Sequence, residues 1–213
     1  MSYYLAIDIG ASSGRHILGS IENGKIKLEE IYRFENGISK IEDEYCWDIK
    51  GLFNEIKNGI KKCKEIGKIP KTIGIDTWAV DFVLLDENDE ILGNAVAYRD
   101  DRTEGYMEKA FEVIPKDMLY LYTGIQFQRF NTLYQLLAIK DKNPEYLEKA
   151  KTFLMIPDYL NFLLTGKKVN EYTNATSTQL VHSFDRTWDK NILKEYGINQ
   201  EICLLYTSPS PRD

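Results

Sequence analysis

The chain has 213 residues, of which 43% are hydrophobic and 28% charged, and its formal net charge is −6. This composition is ordinary for a globular protein, and the length suits one large domain or two small ones. An acidic chain with scattered lysines is atypical of proteins that bind nucleic acid or a membrane surface, so neither is expected as a partner. A small anionic ligand stays compatible with it, because such a ligand needs only a local nest of donors.

The cellular location is also indicated by composition. No apolar run is long enough to span a bilayer, and the first residues enter a strand pattern instead of a signal peptide. The three cysteines, Cys46, Cys63 and Cys203, are far apart and lack C-x-x-C spacing. They indicate neither a disulfide framework nor a zinc site, so we expect reduced thiols in a cytoplasmic protein.

The N-terminal third predicts a mixed sheet. Residues 3–36 predict three antiparallel strands, the last two joined by a tight turn at Asn23-Gly24. Residues 48–66 predict a helix, because apolar residues recur there every three or four positions. That face comprises Leu52, Phe53, Ile56, Ile60 and Cys63. The helix crosses back to the sheet, so the next strand, at 73–77, is expected to lie parallel to a neighbour.

The remaining two thirds predict mainly helices. After strands and a turn at 86–89, residues 102–122 are helical in pattern, and further helices follow with a break at Pro144. A short buried strand then leads into a helix, for which Pro157 suits the first turn and Gly166 the end.

Two segments near the C-terminus lack a helical pattern. "NEYTNATSTQL", residues 170–180, is rich in Asn and Thr and predicts a loop or an edge strand. Residues 203–213, "CLLYTSPSPRD", have no periodicity and resemble a translated transposon-type sequencing adapter, the alternative being a natural disordered tail. We therefore expect one domain at 1–202, incomplete at its C-terminal end, followed by a non-native tail.

The stretch "DIGASSGR", residues 8–15, has the composition of a phosphate-binding loop. Such a loop needs converging backbone N–H groups and small residues, and this one adds two hydroxyls. Gly10 and Gly14 are expected in tight or positive-φ geometry, and Arg15 adds a charge-assisted contact if it turns inward. It is neither a Walker loop nor a dinucleotide fingerprint, because a strand follows it. From the pattern alone a simple hairpin turn is equally possible.

Three further segments contain polar residues in suggestive patterns. "GIDTWAVDF" places Asp76 and Asp81 around a bend, either facing a sugar-sized cleft or as ordinary strand-end acids. "YRDDRT", residues 98–103, is most simply a set of surface ion pairs. "GIQFQRFNTLYQL", residues 124–136, suits hydrogen bonding to a polyol or the buried edge of a helix.

Taken together, these segments resemble the FGGY carbohydrate kinases, and within them the members that phosphorylate the ketose L-rhamnulose. The matching stretches are "DIGASSGR", "GIDTWAVDFVLLD", "AYRDDRT", "GIQFQRFNTLYQL", "PDYLNFLLTG" and "EYTNATSTQL", in the family's order. The resemblance implies an α/β fold of the ribonuclease H-like, actin-like ATPase class, with a mixed sheet flanked by helices. It also implies transfer of the γ-phosphoryl group of MgATP to the 1-hydroxyl of a ketose.

The resemblance assigns roles to individual positions. It implies an ATP phosphate loop made of Ala11, Ser12, Ser13, Gly14 and Arg15. It implies that Asp8 lies on the Mg²⁺ side. It implies a sugar-contacting turn made of Asp76, Thr77, Trp78, Ala79 and Asp81. The family commonly has glycine where this chain has Ala79, so sugar fit or backbone geometry is expected to differ there.

The largest expected departure from the family is length. Members are about twice as long, close two domains around their substrates, and take their general base from a downstream His-Asp-Thr motif. Neither His16 nor His182 lies in such a motif. We therefore expect the chain to lack its C-terminal domain and catalytic base, and to be inactive alone. A kinase for another ketose, such as fuculose or xylulose, and a non-catalytic sugar- or nucleotide-binding module are the alternatives.

Overall fold

Alternating burial along the first strands of the computed structural model, which describes residues 1–204, shows how the sheet forms. In β1 (Tyr3–Ile9), Leu5, Ile7 and Ile9 are buried, while the residues between them lie on the other face. This period of two is that of a strand packed on one side. The chain divides here into two units, and residues 1–39 with 47–78 form the first.

The first unit is built on a four-stranded sheet. Its strand order is β3-β2-β1-β6, with β2 (Ser13–Glu22), β3 (Lys25–Glu35) and β6 (Pro70–Asp76). The first three strands are antiparallel, and β6 runs parallel to β1, as predicted. Asn23 and Gly24 have φ angles of 52° and 76°. Both are positive, as a type I′ hairpin turn requires.

Helix α1 (Ile49–Glu65) connects the antiparallel strands to β6. The Asp48 side chain caps its start by accepting a 2.8 Å hydrogen bond from the Gly51 amide. The predicted apolar face is present, although Phe53 and Ile60 are only half-buried. Its buried residues are Ile49, Leu52, Ile56, Gly59 and Cys63.

Residues 40–46 and the chain from Ala79 onward form the second unit. The strands β4 (Ile38–Ile41) and β5 (Glu44–Trp47) form a small hairpin. The chain passes from the first unit to the second within β4, after residue 39, and returns within β5, after residue 46. Within the second unit, β7 (Phe82–Leu85) and β8 (Thr152–Met155) pair antiparallel, and every residue of both is buried.

Helices surround this strand pair and supply most of the second unit's core. They are α2 (Tyr106–Val113), α3 (Lys116–Thr123), α4 (Thr132–Lys142), α5 (Pro144–Lys149), α6 (Ile156–Thr165), α7 (Tyr172–Thr176) and α8 (Lys190–Glu195). The predicted break at Pro144 and the predicted cap at Gly166, which has a φ of 71°, are both confirmed. No helix in residues 1–204 is long and apolar enough to cross a membrane.

One secondary-structure prediction was wrong. The Asn- and Thr-rich segment 170–180 contains helix α7 instead of only loop or edge strand. The Glu171 side chain caps that helix by accepting hydrogen bonds of 3.0 Å from the amides of Thr173 and Asn174. Burial of Ala175 then fixes one face, so capping and packing override the turn-favouring composition.

The predicted fold class, α/β with a mixed sheet and flanking helices, is confirmed. The predicted boundary at residue 202 stays a prediction. Cys203 forms an isolated bridge with Phe153, and the Leu204 carbonyl accepts a 2.7 Å hydrogen bond from Asn170. Residues 205–213 of the predicted tail lie outside the described residues.

Gly14 is expected to be intolerant of any side chain. A Cβ atom added there would overlap the buried Phe34 ring, so Gly14→Ala forces the packed ring to move. We expect Gly14→Ala to lower the free energy of unfolding in urea by about 1–3 kcal/mol. Gly19→Ala, on the same strand with its nearest neighbour 3.7 Å away, is the matched control and should change it by less than about 0.5 kcal/mol. Equal effects of the two substitutions would contradict this packing.

Asp158 in α6 gives the second unit a pH-dependent stability. Its Oδ2 atom is buried without a hydrogen-bond partner, and burial raises the pKa of the carboxyl from 3.8 to about 7. The folded state therefore retains the proton to higher pH than the unfolded state does. Stability should fall as pH rises through this interval, by up to about 1.4 kcal/mol per pH unit. We expect Asp158→Asn to flatten the stability–pH curve measured by urea unfolding; an unchanged slope would show that this carboxyl is not its source.

Candidate active site

Three carbonyl groups of the loop between β1 and β2 accept hydrogen bonds from groups of the protein. The Gly10 amide donates to the Ser13 carbonyl at 2.9 Å, and the Asn36 amide donates to the Ser12 carbonyl at 3.0 Å. The Asn36 side-chain amide donates to the Gly10 carbonyl at 2.8 Å. Within residues 1–204, the amides of Ala11 and Ser12 form no hydrogen bond. The loop thus offers free N–H groups beside two hydroxyls, the donor set that an anion needs.

Of the two geometries expected for the glycines of this loop, tight or positive-φ, the positive-φ one is absent. Neither Gly10 nor Gly14 has a positive φ. Gly14 lies inside β2 and makes room for the Phe34 ring, so its role is close packing. A Cβ atom added at Gly10 would lie 3.5 Å from its nearest neighbour, the Ser13 carbonyl oxygen. This is an ordinary van der Waals distance, so close packing does not require glycine at this position.

Charged residues form a row across the sheet next to this loop. The strand register pairs Asp76 with Asp8, Asp8 with Arg15, and Arg15 with Arg33. Residues paired in this way project on the same face of a sheet. Two acids therefore lie beside two arginines at the edge where β1 and β6 both end.

Arg15 turns toward Asp8 in this row. Its Nε and Nη2 atoms donate to Asp8 Oδ2 at 2.9 and 2.7 Å, and both side chains are 45% exposed. Arg33 donates two hydrogen bonds to Glu30 in the same way. Half-exposed pairs of this kind stabilise a fold by at most about 1 kcal/mol, so a phosphate ligand can displace them. A shallow pocket is lined by Asp8, Gly10, Ser13, Arg15 and Arg33.

The first half of the predicted sugar-contacting turn follows β6 in the first unit. Asp76 is exposed, and the Thr77 hydroxyl donates to the Trp78 carbonyl at 2.9 Å. The Trp78 indole stacks on that of Trp47, with ring centroids 3.9 Å apart. Because Trp47 is buried, this contact fixes the direction of the Trp78 ring.

The second half of the turn, in the second unit, is strained at Val80. The Asp81 amide donates to the Ala79 carbonyl at 2.9 Å, and Val80 between them has a φ of 67°. This is the rare positive-φ form of the γ-turn. Such a conformation costs roughly 1–3 kcal/mol for a residue other than glycine, and most for a β-branched one.

Ala79 itself is exposed and has no positive φ. The expectation that the Ala79 methyl group alters sugar fit or backbone geometry is not tested by this. Its effect on sugar fit stays a prediction.

Asp81 is only 1% exposed. Its Oδ1 accepts from the Gln135 side chain at 3.1 Å, and its Oδ2 accepts from the Tyr98 amide at 3.1 Å. A direct sugar contact would require the carboxylate to leave these bonds. In this conformation the Asp81 carboxylate holds the Gln135 side chain and the Tyr98 amide.

The "YRDDRT" segment is more buried than a set of surface ion pairs. Arg102 donates to Gln135 Oε1 at 2.6 Å, and Asp100 accepts from the Arg102 and Tyr45 amides at 2.8 Å each. Burial lowers the pKa of the Arg102 guanidinium, while the negative charges of Asp81, Glu44 and Asp100 raise it. The prediction of surface ion pairs fits one residue of the segment, Asp101, which pairs with the exposed Arg129 at 3.5 Å.

The structure therefore brings the predicted phosphate-loop residues and Asp8 together in the first unit, with Asp76 beside them. Sequence reasoning missed Val80, Thr132 and Gln135, whose importance depends on their contacts. For the segment 124–136, the interpretation as the buried edge of a helix is favoured, because α4 buries residues 132–136. No group of three or more His, Cys, Asp or Glu side chains in residues 1–204 is placed to hold a metal ion by itself.

Comparison with known families decides the class of protein. The family model described as "FGGY family of carbohydrate kinases, N-terminal domain" matches residues 3–208. The chain belongs to the FGGY family of carbohydrate kinases. The resemblance inferred from the sequence motifs is thereby confirmed.

Individual FGGY relatives are highly similar to this chain. It is 60% identical over 202 residues to the rhamnulokinase of Halalkalibacterium halodurans, a match covering 95% of this chain and 43% of that protein. It is 59% identical over 205 residues to the rhamnulokinase of Oceanobacillus iheyensis, covering 96% of this chain and 44% of the relative. The chain thus spans less than half the length of these relatives.

Solved structures share the fold. A xylulose kinase from Lactobacillus acidophilus superposes with a TM-score of 0.85 at 22% identity, covering 97% of this chain and 42% of that one. Plasmodium falciparum glycerol kinase with ADP gives a TM-score of 0.75 at 22% identity, covering 96% and 43%. At this identity the likeness establishes the fold and leaves the substrate to other arguments.

Proposed function

We propose that this chain is the N-terminal part of a kinase that transfers the γ-phosphoryl group of MgATP to the 1-hydroxyl of L-rhamnulose. The observation that supports this best is the 60% identity to a rhamnulokinase across 95% of the chain. In the reaction the sugar oxygen bonds to the γ-phosphorus, the bond from phosphorus to the β–γ bridging oxygen breaks, and ADP leaves. The hydroxyl proton passes to a general base.

The β1–β2 loop is the proposed contact for the ATP phosphates. Ala11 and Ser12 present amides, Ser12 and Ser13 add hydroxyls, and Arg15 supplies a positive charge from the neighbouring strand. Gly14 contributes by letting the start of β2 pack closely against the Phe34 ring. Fixed donors of this kind stabilise charge on the transferred group without having to reorganise during the reaction.

Asp8 is the proposed magnesium-side residue. Mg²⁺ prefers oxygen ligands, keeps several waters, and is commonly held by one or two carboxylates together with substrate phosphates. Asp8, with Asp76 register-paired beside it, fits that requirement. If a phosphate bonded to Arg15 in place of Asp8, the Asp8 carboxylate would be free to hold the ion. The ion would neutralise phosphate charge.

The turn at residues 76–81 is the proposed contact for the ketose. Asp76 and Ala79 are exposed, and Trp78 offers an indole held in place by Trp47. An exposed carboxylate and a fixed aromatic face are suited to the hydroxyls and the apolar face of a sugar.

The general base is proposed to lie outside residues 1–213, in a His-Asp-Thr segment of a second domain. A general base contributes about a hundred- to ten-thousand-fold to rate, and phosphoryl transfer needs groups on both sides of the γ-phosphate. We therefore infer that residues 1–213 alone are inactive.

The first experiment measures ADP release from the complete kinase with L-rhamnulose, L-fuculose and D-xylulose. We expect the highest kcat/KM with L-rhamnulose, and no release above background from residues 1–213 alone. A preference of tenfold or more for another ketose would overturn the substrate assignment. Robust turnover by residues 1–213 would overturn the inference about the base.

A second experiment tests the phosphate loop. In Asn36→Ala the loop loses the hydrogen bond to the Gly10 carbonyl, which contributes about 0.5–1.5 kcal/mol. We expect the KM for ATP to rise roughly 2- to 12-fold. The KM for the ketose should stay within about twofold. Asn54→Ala, on the exposed side of α1, is the matched control and should alter neither value. A change confined to the ketose KM would argue against this loop as the ATP contact.

A further inference from the structure

Val80 is in a backbone conformation that its own side chain opposes. It is a β-branched residue with a φ of 67°, at the centre of the γ-turn between Ala79 and Asp81. Valine almost never adopts positive φ, so the surrounding structure must impose it. Strain of this kind concentrates where a site needs a preformed shape.

Three side chains bond to the backbone of Val80. Thr132 donates its hydroxyl to the Val80 carbonyl at 2.7 Å, and Gln135 Nε2 lies 3.3 Å from the same oxygen. The Val80 amide donates to Ser177 Oγ at 3.3 Å. Thr132 and Gln135 are three residues apart on α4, so one helix face makes both contacts to the carbonyl.

Gln135 is itself fixed in place. Its Nε2 also donates to the Phe130 carbonyl at 2.9 Å and to Asp81 Oδ1, and its Oε1 accepts from Arg102. Gln135 is 1% exposed and Thr132 is fully buried. Buried groups bonded to this extent have one available position, so they transmit that position to the turn.

We propose that Thr132 and Gln135 are positioning residues for the ketose, because they hold Val80 in its strained conformation and so preform the 79–81 half of the sugar-contacting turn. This inference rests on the proposed function. Neither residue touches the sugar in this account. They act by keeping the turn in its binding conformation, which lowers the entropic cost of ordering it when the sugar binds.

The test uses the complete kinase with Thr132→Val, which keeps the side-chain shape and removes the hydroxyl. We expect kcat/KM for the ketose to fall about tenfold, with the KM for ATP within about twofold. Thr132→Ser, which restores the donor, should return kcat/KM to within about threefold of the original. Thr123→Val is the matched control, because Thr123 is also buried and donates to a carbonyl, that of Leu119, at 2.8 Å. It should leave the ketose kcat/KM unchanged.

Glycine at position 80 separates positioning from general stability. Glycine adopts positive φ without strain, so the turn then depends less on the Thr132 hydroxyl. The Thr132→Val loss should shrink from about tenfold to about threefold or less when Val80→Gly is also present. If Thr132→Val alone folds poorly, the loss is instead measured by comparing the double variant with Val80→Gly alone. An equal loss in both backgrounds, or a ketose kcat/KM unaffected by Thr132→Val, would overturn the proposal.

The same measurements distinguish this proposal from the proposed function. If the unmodified kinase prefers another ketose, the substrate assignment fails, and the ratios between variants are then measured with that ketose. If it prefers L-rhamnulose and the variants have the same ketose kcat/KM as the unmodified kinase, the positioning role is wrong and the proposed function is retained.

Discussion

The parallel pairing of β6 with β1 is the constraint on which the candidate site depends. It joins strands whose paired residues, such as Asp8 and Asp76, are 68 positions apart in the chain. Parallel strands end at the same edge of a sheet, so both segments with polar, loop-forming residues start from that edge. If this register slipped by one residue, the acids would turn to the buried face and the apolar residues outward.

The half of the turn that lies in the second unit depends on backbone strain. Val80 sits in a costly γ-turn, in which Thr132 of α4 donates to its carbonyl and Ser177 Oγ accepts from its amide. Gln135, the second α4 side chain near the Val80 carbonyl, is held in turn by the partly buried guanidinium of Arg102, which interacts with nearby carboxylates. The hydrogen bonds to the buried Gln135 side chain limit the arrangements that the turn can adopt, although Arg102 Nε is buried without a hydrogen-bond partner among the described residues.

The sequence allowed prediction of the features that short-range rules control. Period-two burial, the Asn23-Gly24 turn, and the proline and glycine at the ends of α6 all follow from local geometry. The parallel placement of β6 followed from the crossover helix. Helix α7 was missed because its formation depends on capping by Glu171 and on the burial of Ala175, against a turn-favouring composition. The composition of the phosphate loop was apparent from sequence, whereas the packing role of Gly14 was not.

The strained turn could not have been predicted from sequence. Valine is among the residues least expected at positive φ, and the groups that impose this conformation lie about fifty and one hundred positions later, at Thr132 and Ser177. The burial of Arg102 was likewise concealed by a run of charges that usually lies on the surface. Both features are long-range, and local propensity contains no information on them.

The proposed phosphoryl transfer is tested most directly by determining which sugar carbon carries the phosphate in the product. The complete kinase would be incubated with MgATP and L-rhamnulose, and the product analysed by proton-coupled phosphorus NMR. We expect a sugar phosphate whose phosphorus couples to the two protons on C1, formed in equal amount with ADP. A phosphate on another carbon, or ADP formation without any sugar phosphate, would contradict it.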